Sequence, residues 1–127
     1  MKDRSVRRVI FDYLEENYGK IRIFEESPIK NSRCDFYTVT DRLTGYEIKS
    51  DADSYERLSG QIKDYDAFFD ENYIVIGRTH RAHVAEKVPP YWGLAFLQKT
   101  AKRQRSVHST PRWELLVAFP FWAIPAL

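Results

Sequence analysis

The chain of 127 residues is 43% hydrophobic and 15% aromatic, which is the size and apolar content of one globular domain over residues 1–127. Its 20 basic and 18 acidic side chains leave a net charge of only +2, so bulk charge gives no support for a nucleic-acid partner. The single cysteine, Cys34, excludes an internal disulfide, and the amino terminus carries no apolar secretory run; both features predict a cytoplasmic protein with Cys34 in its core.

The first forty residues predict one helix and two strands. Apolar residues recur every three or four positions over residues 3–18, which is typical of one helix face, and Gly19 favours a helix end there. Residues 21–26 alternate in the manner of a strand, which Pro28 is expected to end. Residues 33–40 are rich in aromatic and β-branched side chains, which favours a second strand.

A hairpin is predicted next, with its turn at residues 41–45 and its returning strand at residues 46–49. Alternation sends Glu47 and Lys49 to one face of that strand and the apolar residues beside them to the other. Because the hairpin folds the two strands side by side, we expect Asp35 to lie close to Glu47 and Lys49 on one side of the sheet.

The second half of the chain predicts two helices and three strands. Asp53, with Glu56 three residues later, favours a helix N-cap ahead of an apolar stripe that ends near Phe69. The remaining pattern predicts a strand, a short helix and two further strands over residues 73–77, 79–88, 91–97 and 113–119. The fold class is therefore α/β, with the element order αβββαβαββ.

The carboxyl end is unusual because residues 115–127 carry no charge. The segment is too short for a bilayer span, which takes about 20 apolar residues, so no membrane partner is expected. A final strand followed by a tail docked on the core is favoured, and a buried dimer contact is the alternative.

Asp35, Glu47 and Lys49 are the candidate catalytic residues. Two carboxylates on adjacent strands form an oxygen-ligand site that suits Mg²⁺, to which the carbonyl oxygen of Ile48 would add a ligand. Such an ion activates a water and stabilises the leaving oxygen, while the lysine positions that water or takes its proton. The alternative is a solvated surface pair, because a Glu and a Lys two apart often share an exposed strand face.

These residues occur in a familiar order. The run from residue 33 to residue 69 resembles the PD-(D/E)XK nuclease superfamily, with Asp35 matching the motif's Asp and Glu47-Ile48-Lys49 its (D/E)XK. Gln61 and Tyr65 match the QxxxY motif of the RecB-like branch. The likeness extends over residues 33–97 and is greatest to short bacterial and phage proteins with a GYEIKSD core and a YIVIG strand. Cys34 stands where the superfamily name has Pro.

The resemblance implies a restriction-endonuclease-like fold, in which helices flank a mixed central sheet. It also implies a magnesium-dependent nuclease that acts on DNA, with RNA as an alternative substrate and Mn²⁺ as a substitute ion. Asp35 and Glu47 would bind the metal, Lys49 would serve the attacking water, and Gln61 and Tyr65 would hold DNA or the metal-bound water. Alternatively, Tyr65 is simply a core residue that Gln61 borders.

An upstream acid often completes the metal site in the superfamily. Three acids compete for that place in this chain. Glu16 borders the apolar stripe of the first helix, Glu25 follows in the first strand, and Glu26 ends that strand. Glu26 is included in the predicted metal ligands.

Several other polar residues have a simpler interpretation. Asp51 directly follows the motif and Asp53 is expected to cap a helix rather than bind metal. His80 and His83 lack partners at zinc-like spacing and are predicted to lie on the surface. Two basic clusters either contact phosphates or are solvated: one on the first helix and one in the loop after residue 98, formed by Arg4, Arg7, Arg8 and by Lys99, Lys102, Arg103, Arg105, His108, Arg112.

A second class of function fits the same residues. A non-catalytic member of the fold would bind nucleic acid or a protein partner and depend on another subunit for cutting. The short chain offers little surface to grip a duplex, so a homodimer or a partner subunit is expected if the protein cuts double strands.

Overall fold

The structure is a computed structural model that describes residues 4–50, 53–99 and 113–119. These ranges contain three helices, a short 3₁₀ turn at Arg78–His80 and six strands. The helices are α1 (Arg4–Tyr18), α2 (Leu58–Phe68) and α3 (Val84–Lys87). The strands are β1 (Arg22–Ile29), β2 (Ser32–Val39), β3 (Leu43–Lys49), β4 (Glu71–Ile76), β5 (Gly93–Lys99) and β6 (Trp113–Phe119).

The six strands form one mixed sheet in which spatial order follows chain order. Neighbours β1, β2 and β3 pair antiparallel, β3, β4 and β5 pair parallel, and β6 returns antiparallel to β5. The parallel pairs need crossover connections, which α2 and α3 supply. The predicted α/β class and the order αβββαβαββ are confirmed.

A separate apolar cluster lies on each face of the sheet. On one face α1 packs its buried stripe against the rings of Phe36 and Tyr46, beside Ile48 and Val75. On the other face Tyr65 and Phe69 pack with Trp92 and with strand residues that point the opposite way. Alternation along β3 therefore gives one face to Tyr46 and Ile48 and the other to Glu47 and Lys49, as the sequence predicts.

Two predicted strand boundaries are wrong for identifiable reasons. β1 continues through Pro28, which pairs in register with Arg33; an edge strand tolerates proline because one row of its amides faces away from the ladder. β3 begins at Leu43, so Gly45 belongs to the strand rather than to the turn. A Cβ at Gly45 would lie 2.4 Å from the ring of Phe69, and the glycine is needed for this close approach rather than for a bend.

The helices of the second half are shorter than predicted. α2 starts at Leu58 with Arg57 as its N-cap and no side-chain capping bond, so the predicted capping role of Asp53 is wrong. The helix predicted over residues 79–88 is divided into the 3₁₀ turn and the single-turn α3. None of the helices in the described ranges is both long and apolar enough to cross a bilayer.

Candidate active site

Asp35 lies where β2 separates from β3. The registered pairs of these strands run from Val39↔Leu43 to Phe36↔Tyr46 and end there. Beyond that point the backbone N–H of Ile48 donates to Asp35 Oδ2 at 2.7 Å. The carboxylate thus takes the place of a ladder carbonyl, and this contact holds Asp35 beside the carboxyl end of β3.

Glu47 is the most deeply buried acid of the site, with 1% of the residue exposed. Tyr65 Oη donates to its Oε2 at 2.5 Å, and Gln61 Nε2 donates to its Oε1 at 3.2 Å. Both donors lie on α2, one helical turn apart, so the helix presents them to the same carboxylate. The ammonium of Lys49 lies 3.9 Å from Oε1 and is itself almost fully buried.

The hydroxyl of Tyr65 connects the two acidic residues. It accepts a hydrogen bond from the backbone N–H of Asp35 at 3.3 Å and donates to Glu47. Burial, and next the nearby charge of Glu47, raise the pKa of the Tyr65 hydroxyl far above its usual range. The Tyr65 hydroxyl therefore keeps its proton and remains a hydrogen-bond donor at any physiological pH. The ring of Tyr65 also belongs to the apolar core, as the interpretation of Tyr65 as a core residue predicts.

Gln61 is left with one unmatched group. Its Oε1 is buried and has no hydrogen-bond partner among the described residues, although its amide nitrogen bonds Glu47. An unpaired buried oxygen costs about 1–3 kcal/mol. The site therefore has an acceptor available for a donor that the described part of the chain does not provide.

Mg²⁺ prefers oxygen ligands, keeps several waters and is commonly held by one or two carboxylates together with substrate phosphates. Asp35 and Glu47 supply two carboxylates at the end of one strand pair, and the Gln61 acceptor suits a water of such an ion. No group of three or more His, Cys, Asp or Glu side chains within residues 4–50 and 53–99 lies close enough to hold a metal. The donor set thus fits a hydrated magnesium ion and does not form an enclosed, all-protein metal cage.

The predicted upstream acids contact a cation instead. Glu26 and Glu25 both form ion pairs with Arg7, the latter at 3.0 Å. Arg7 also donates to the backbone carbonyl of Asp35 at 3.0 Å and lies 3.6 Å from its Oδ1. Arg7 is buried, so its assignment to a solvent-facing basic cluster is wrong; the third upstream acid, Glu16, is exposed on α1.

Ser50, which directly follows Lys49, makes two contacts that the sequence did not indicate. Asp53 Oδ2 accepts from the amide of Ser50 at 2.8 Å, and Nε2 of His80 lies 2.6 Å from the carbonyl oxygen of Ser50. The ring of His80 also meets Tyr55 edge-on at 4.7 Å. His80 is buried, so its predicted surface position is wrong, whereas His83 is exposed as predicted. The contact with Ser50 joins residues 30 apart, and no local pattern could have revealed it.

The other candidates lie away from this centre or outside the described residues. Lys63, Arg4 and Arg8 are exposed, and Cys34 is a fully buried core residue as predicted. Asp51, the basic cluster from residue 102 to residue 112 and the tail after residue 119 lie outside the described ranges.

Comparison with known proteins identifies the family of the chain. No curated protein matches the sequence. No solved structure matches it either. The model of the family described as bacteriophage P4 protein cII matches residues 2–114, which is most of the chain and includes the whole candidate site. The chain therefore belongs to the bacteriophage P4 protein cII family.

Proposed function

We propose that the protein is a magnesium-dependent nuclease that hydrolyses phosphodiester bonds of DNA. The observation that carries the proposal is the buried Glu47, which contacts Lys49, Gln61 and Tyr65 at the strand end where the Asp35 carboxylate also lies. The family description names a phage protein and no activity. The site chemistry is therefore the main support for the proposal.

The buried ion pair of Glu47 and Lys49 supports a functional role. Transferring Glu47 and Lys49 out of water costs several kcal/mol per ion, and a contact of 3.9 Å offsets this only in part. Apolar residues at the same positions would serve the core as well. Buried ionisable groups with specific partners are typical of active sites, although structural ion pairs also occur.

Each residue then has a distinct task. Asp35 and Glu47 would hold the ion, which when bound would supply Lewis acidity to a phosphate oxygen and to the attacking water. Lys49 would orient that water by donating a hydrogen bond from its ammonium, which lies 3.9 Å from Glu47 Oε1. Tyr65 and Gln61 fix the orientation of the Glu47 carboxylate through their hydrogen bonds.

A non-catalytic nucleic-acid-binding or partner-binding module of the same fold is the second candidate. Arg7 favours it, because its guanidinium already neutralises part of the charge beside Asp35. In that case the acids and Lys49 would form only a buried structural network at the end of β3, and a partner subunit would do the cutting.

Cleavage assays distinguish the two candidates. We expect the purified protein to release fragments from linear, circular or single-stranded DNA with Mg²⁺ or Mn²⁺, with RNA tested in parallel. Lys49→Ala should abolish cleavage and leave metal binding largely intact, because the lysine is not a ligand. Asp35→Ala should abolish both cleavage and metal binding.

Lys63→Ala is the matched control, because Lys63 is an exposed lysine on α2 and its loss should leave most activity. Binding of a nucleic acid without cleavage of any substrate would favour the non-catalytic module. Full activity of Lys49→Ala would show that the proposed mechanism is wrong even for a nuclease.

A further inference from the structure

Arg7 is a buried cation that α1 inserts between three carboxylates. Its guanidinium pairs with Glu25 at 3.0 Å and with Glu26, bonds the carbonyl oxygen of Asp35 at 3.0 Å and lies 3.6 Å from Asp35 Oδ1. The side chain of Arg7 is 10% exposed, and that of Asp35 is 8% exposed. The pair is therefore poorly screened by solvent, so its charges act on each other more strongly than surface charges do.

The backbone of β1 is adapted to this arrangement. Glu26 has a φ of 52°, in the left-handed region that non-glycine residues rarely adopt. It is also the residue at which the registered β1–β2 pairs skip a position, opposite Asp35. Such a conformation costs about 1–3 kcal/mol and persists only where the surroundings maintain it. Here it turns a second carboxylate of β1 toward Arg7.

The guanidinium and a divalent ion would share one carboxylate. Asp35 Oδ2 is engaged by the Ile48 amide and Oδ1 faces Arg7. An ion on Asp35 would therefore lie within a few ångströms of a fixed positive charge. Repulsion at that distance in a poorly solvated site is worth at least a tenfold change in affinity, as an order of magnitude.

We infer that the buried guanidinium of Arg7 lowers the affinity of the candidate metal site for divalent ions. The inference rests on the proposed role of Asp35 as a metal ligand. Arg7 stabilises the metal-free protein by neutralising Glu25, Glu26 and Asp35, and by the same charge it opposes the ion. Its removal has two effects of opposite sign: the metal-free fold becomes less stable, and the ion binds more tightly.

Arg8 provides the matched control. It is the next residue of α1, has the same charge and is exposed, and it has no ion-pair partner among the described residues. Of the two arginines, Arg7 is the one that pairs with Asp35, so replacement of Arg7 should alter the metal site and replacement of Arg8 should not.

Calorimetric titration with Mg²⁺ and Mn²⁺, together with thermal unfolding, tests the inference. Arg7→Gln should lower the melting temperature of the metal-free protein and tighten ion binding by about tenfold or more. Arg8→Gln should change neither quantity. Unchanged or weaker ion binding by Arg7→Gln, with clear binding by the wild type, would overturn the inference and leave the proposed nuclease intact.

Two further outcomes separate this inference from the proposed function. If neither the wild type nor either variant binds Mg²⁺ or Mn²⁺, both the inference and the metal-dependent mechanism are wrong. If Arg7→Gln binds Mg²⁺ more tightly but the wild type cleaves no nucleic acid, the inference stands and the nuclease fails.

A measurement on the wild type covers the case in which Arg7→Gln does not fold. The Nε–H resonance of Arg7 in ¹⁵N-arginine-labelled protein should shift during a Mg²⁺ titration. The midpoint of that shift should equal the midpoint of the calorimetric titration. The Arg8 resonance should stay in place. An unmoved Arg7 signal at saturating Mg²⁺ would overturn the inference, because an ion on Asp35 could not leave that signal unchanged.

Discussion

Two hydrogen-bonded carboxylates, Asp66 on α2 and Glu47 on β3, show how a structural acid differs from a candidate catalytic one. Asp66, on α2 itself, accepts hydrogen bonds from Trp92 Nε1 at 2.9 Å, from Asn72 Nδ2 at 3.2 Å and from the hydroxyl of Tyr91. All three donors are neutral. Glu47, on β3, receives two neutral hydrogen bonds from α2 and also has a buried ammonium 3.9 Å away.

The two networks differ in what they accomplish for the fold. The Asp66 bonds tie β4 and the chain before β5 to the helix, and Asp66 itself remains exposed to solvent, so its charge costs little. The Glu47 network buries a negative and a positive group and leaves the Gln61 Oε1 without a partner within residues 4–50, 53–99 and 113–119. Such an arrangement costs stability, which is common where a site is arranged for chemistry rather than for the core.

Matched truncations of the two acids test this contrast most strongly. Glu47→Ala should reduce cleavage by about 10³-fold or more, because it removes a proposed metal ligand, and should also lower stability, because Lys49 stays buried without its partner. Asp66→Ala should keep most activity and lose about 2 kcal/mol of unfolding free energy, because three donors lose their acceptor. Measurements of kcat/KM and urea unfolding on both variants decide between these outcomes. Equal losses of activity would mean that the contrast is wrong.

Metal binding should stabilise only the protein with an intact Glu47 network. At a Mg²⁺ concentration of about 100 times the Kd, the free energy of unfolding should rise by ~2.7 kcal/mol if the ion binds the folded state alone. The increase should persist in Asp66→Ala and disappear in Glu47→Ala. Thermal unfolding over a series of Mg²⁺ and Mn²⁺ concentrations measures it. A flat response of the wild type would count against a metal site.

Removal of one hydroxyl from each network gives a smaller and sharper test. Tyr65→Phe keeps the buried ring but deprives Glu47 of its 2.5 Å donor, so stability should fall by about 1 kcal/mol and kcat should also fall. Tyr91→Phe removes a donor to Asp66 from an exposed ring and should leave kcat unchanged. If both variants lose kcat equally, the effect on Tyr65 reflects general loosening rather than the orientation of Glu47.

The thiol of Cys34, the residue before Asp35, should stay unreactive as long as the protein around the site is folded. Burial is the main reason that the pKa of its thiol rises to about 12. At pH 8 the folded protein should therefore react with a thiol reagent only through unfolding, whereas Asp66→Ala should react faster. The raised pKa favours folding below the unfolded value near 9, and this contribution is lost as the pH rises toward 12. Rapid labelling of the native protein at pH 8 would contradict this assignment.

Local patterns predicted the elements well because they depend on short-range periodicity. The apolar stripe of the first helix, the alternation of Glu47 and Lys49 on β3 and the final strand at Trp113–Phe119 all appear where expected. The spacing of Asp35 and Glu47 predicted adjacent strands for the same reason, since a hairpin is a local structure. Pro28 and Gly45 were misjudged because their effect depends on edge position and on packing against Phe69.

The sequence by itself determined the α/β order, the two faces of β3 and the candidate acids and lysine, because periods of 2 and 3.6 and hairpin spacing are written in neighbouring residues. Only the tertiary structure decided which cation faces Asp35, that His80 is buried against Ser50, and that Asp66 is saturated by neutral donors. Apart from the bond between Asn72 and Asp66, these contacts join residues 25 or more positions apart, as in the pairing of Arg7 with Asp35. Their energies depend on burial and distance, which are properties of the packed chain and not of any local stretch of it.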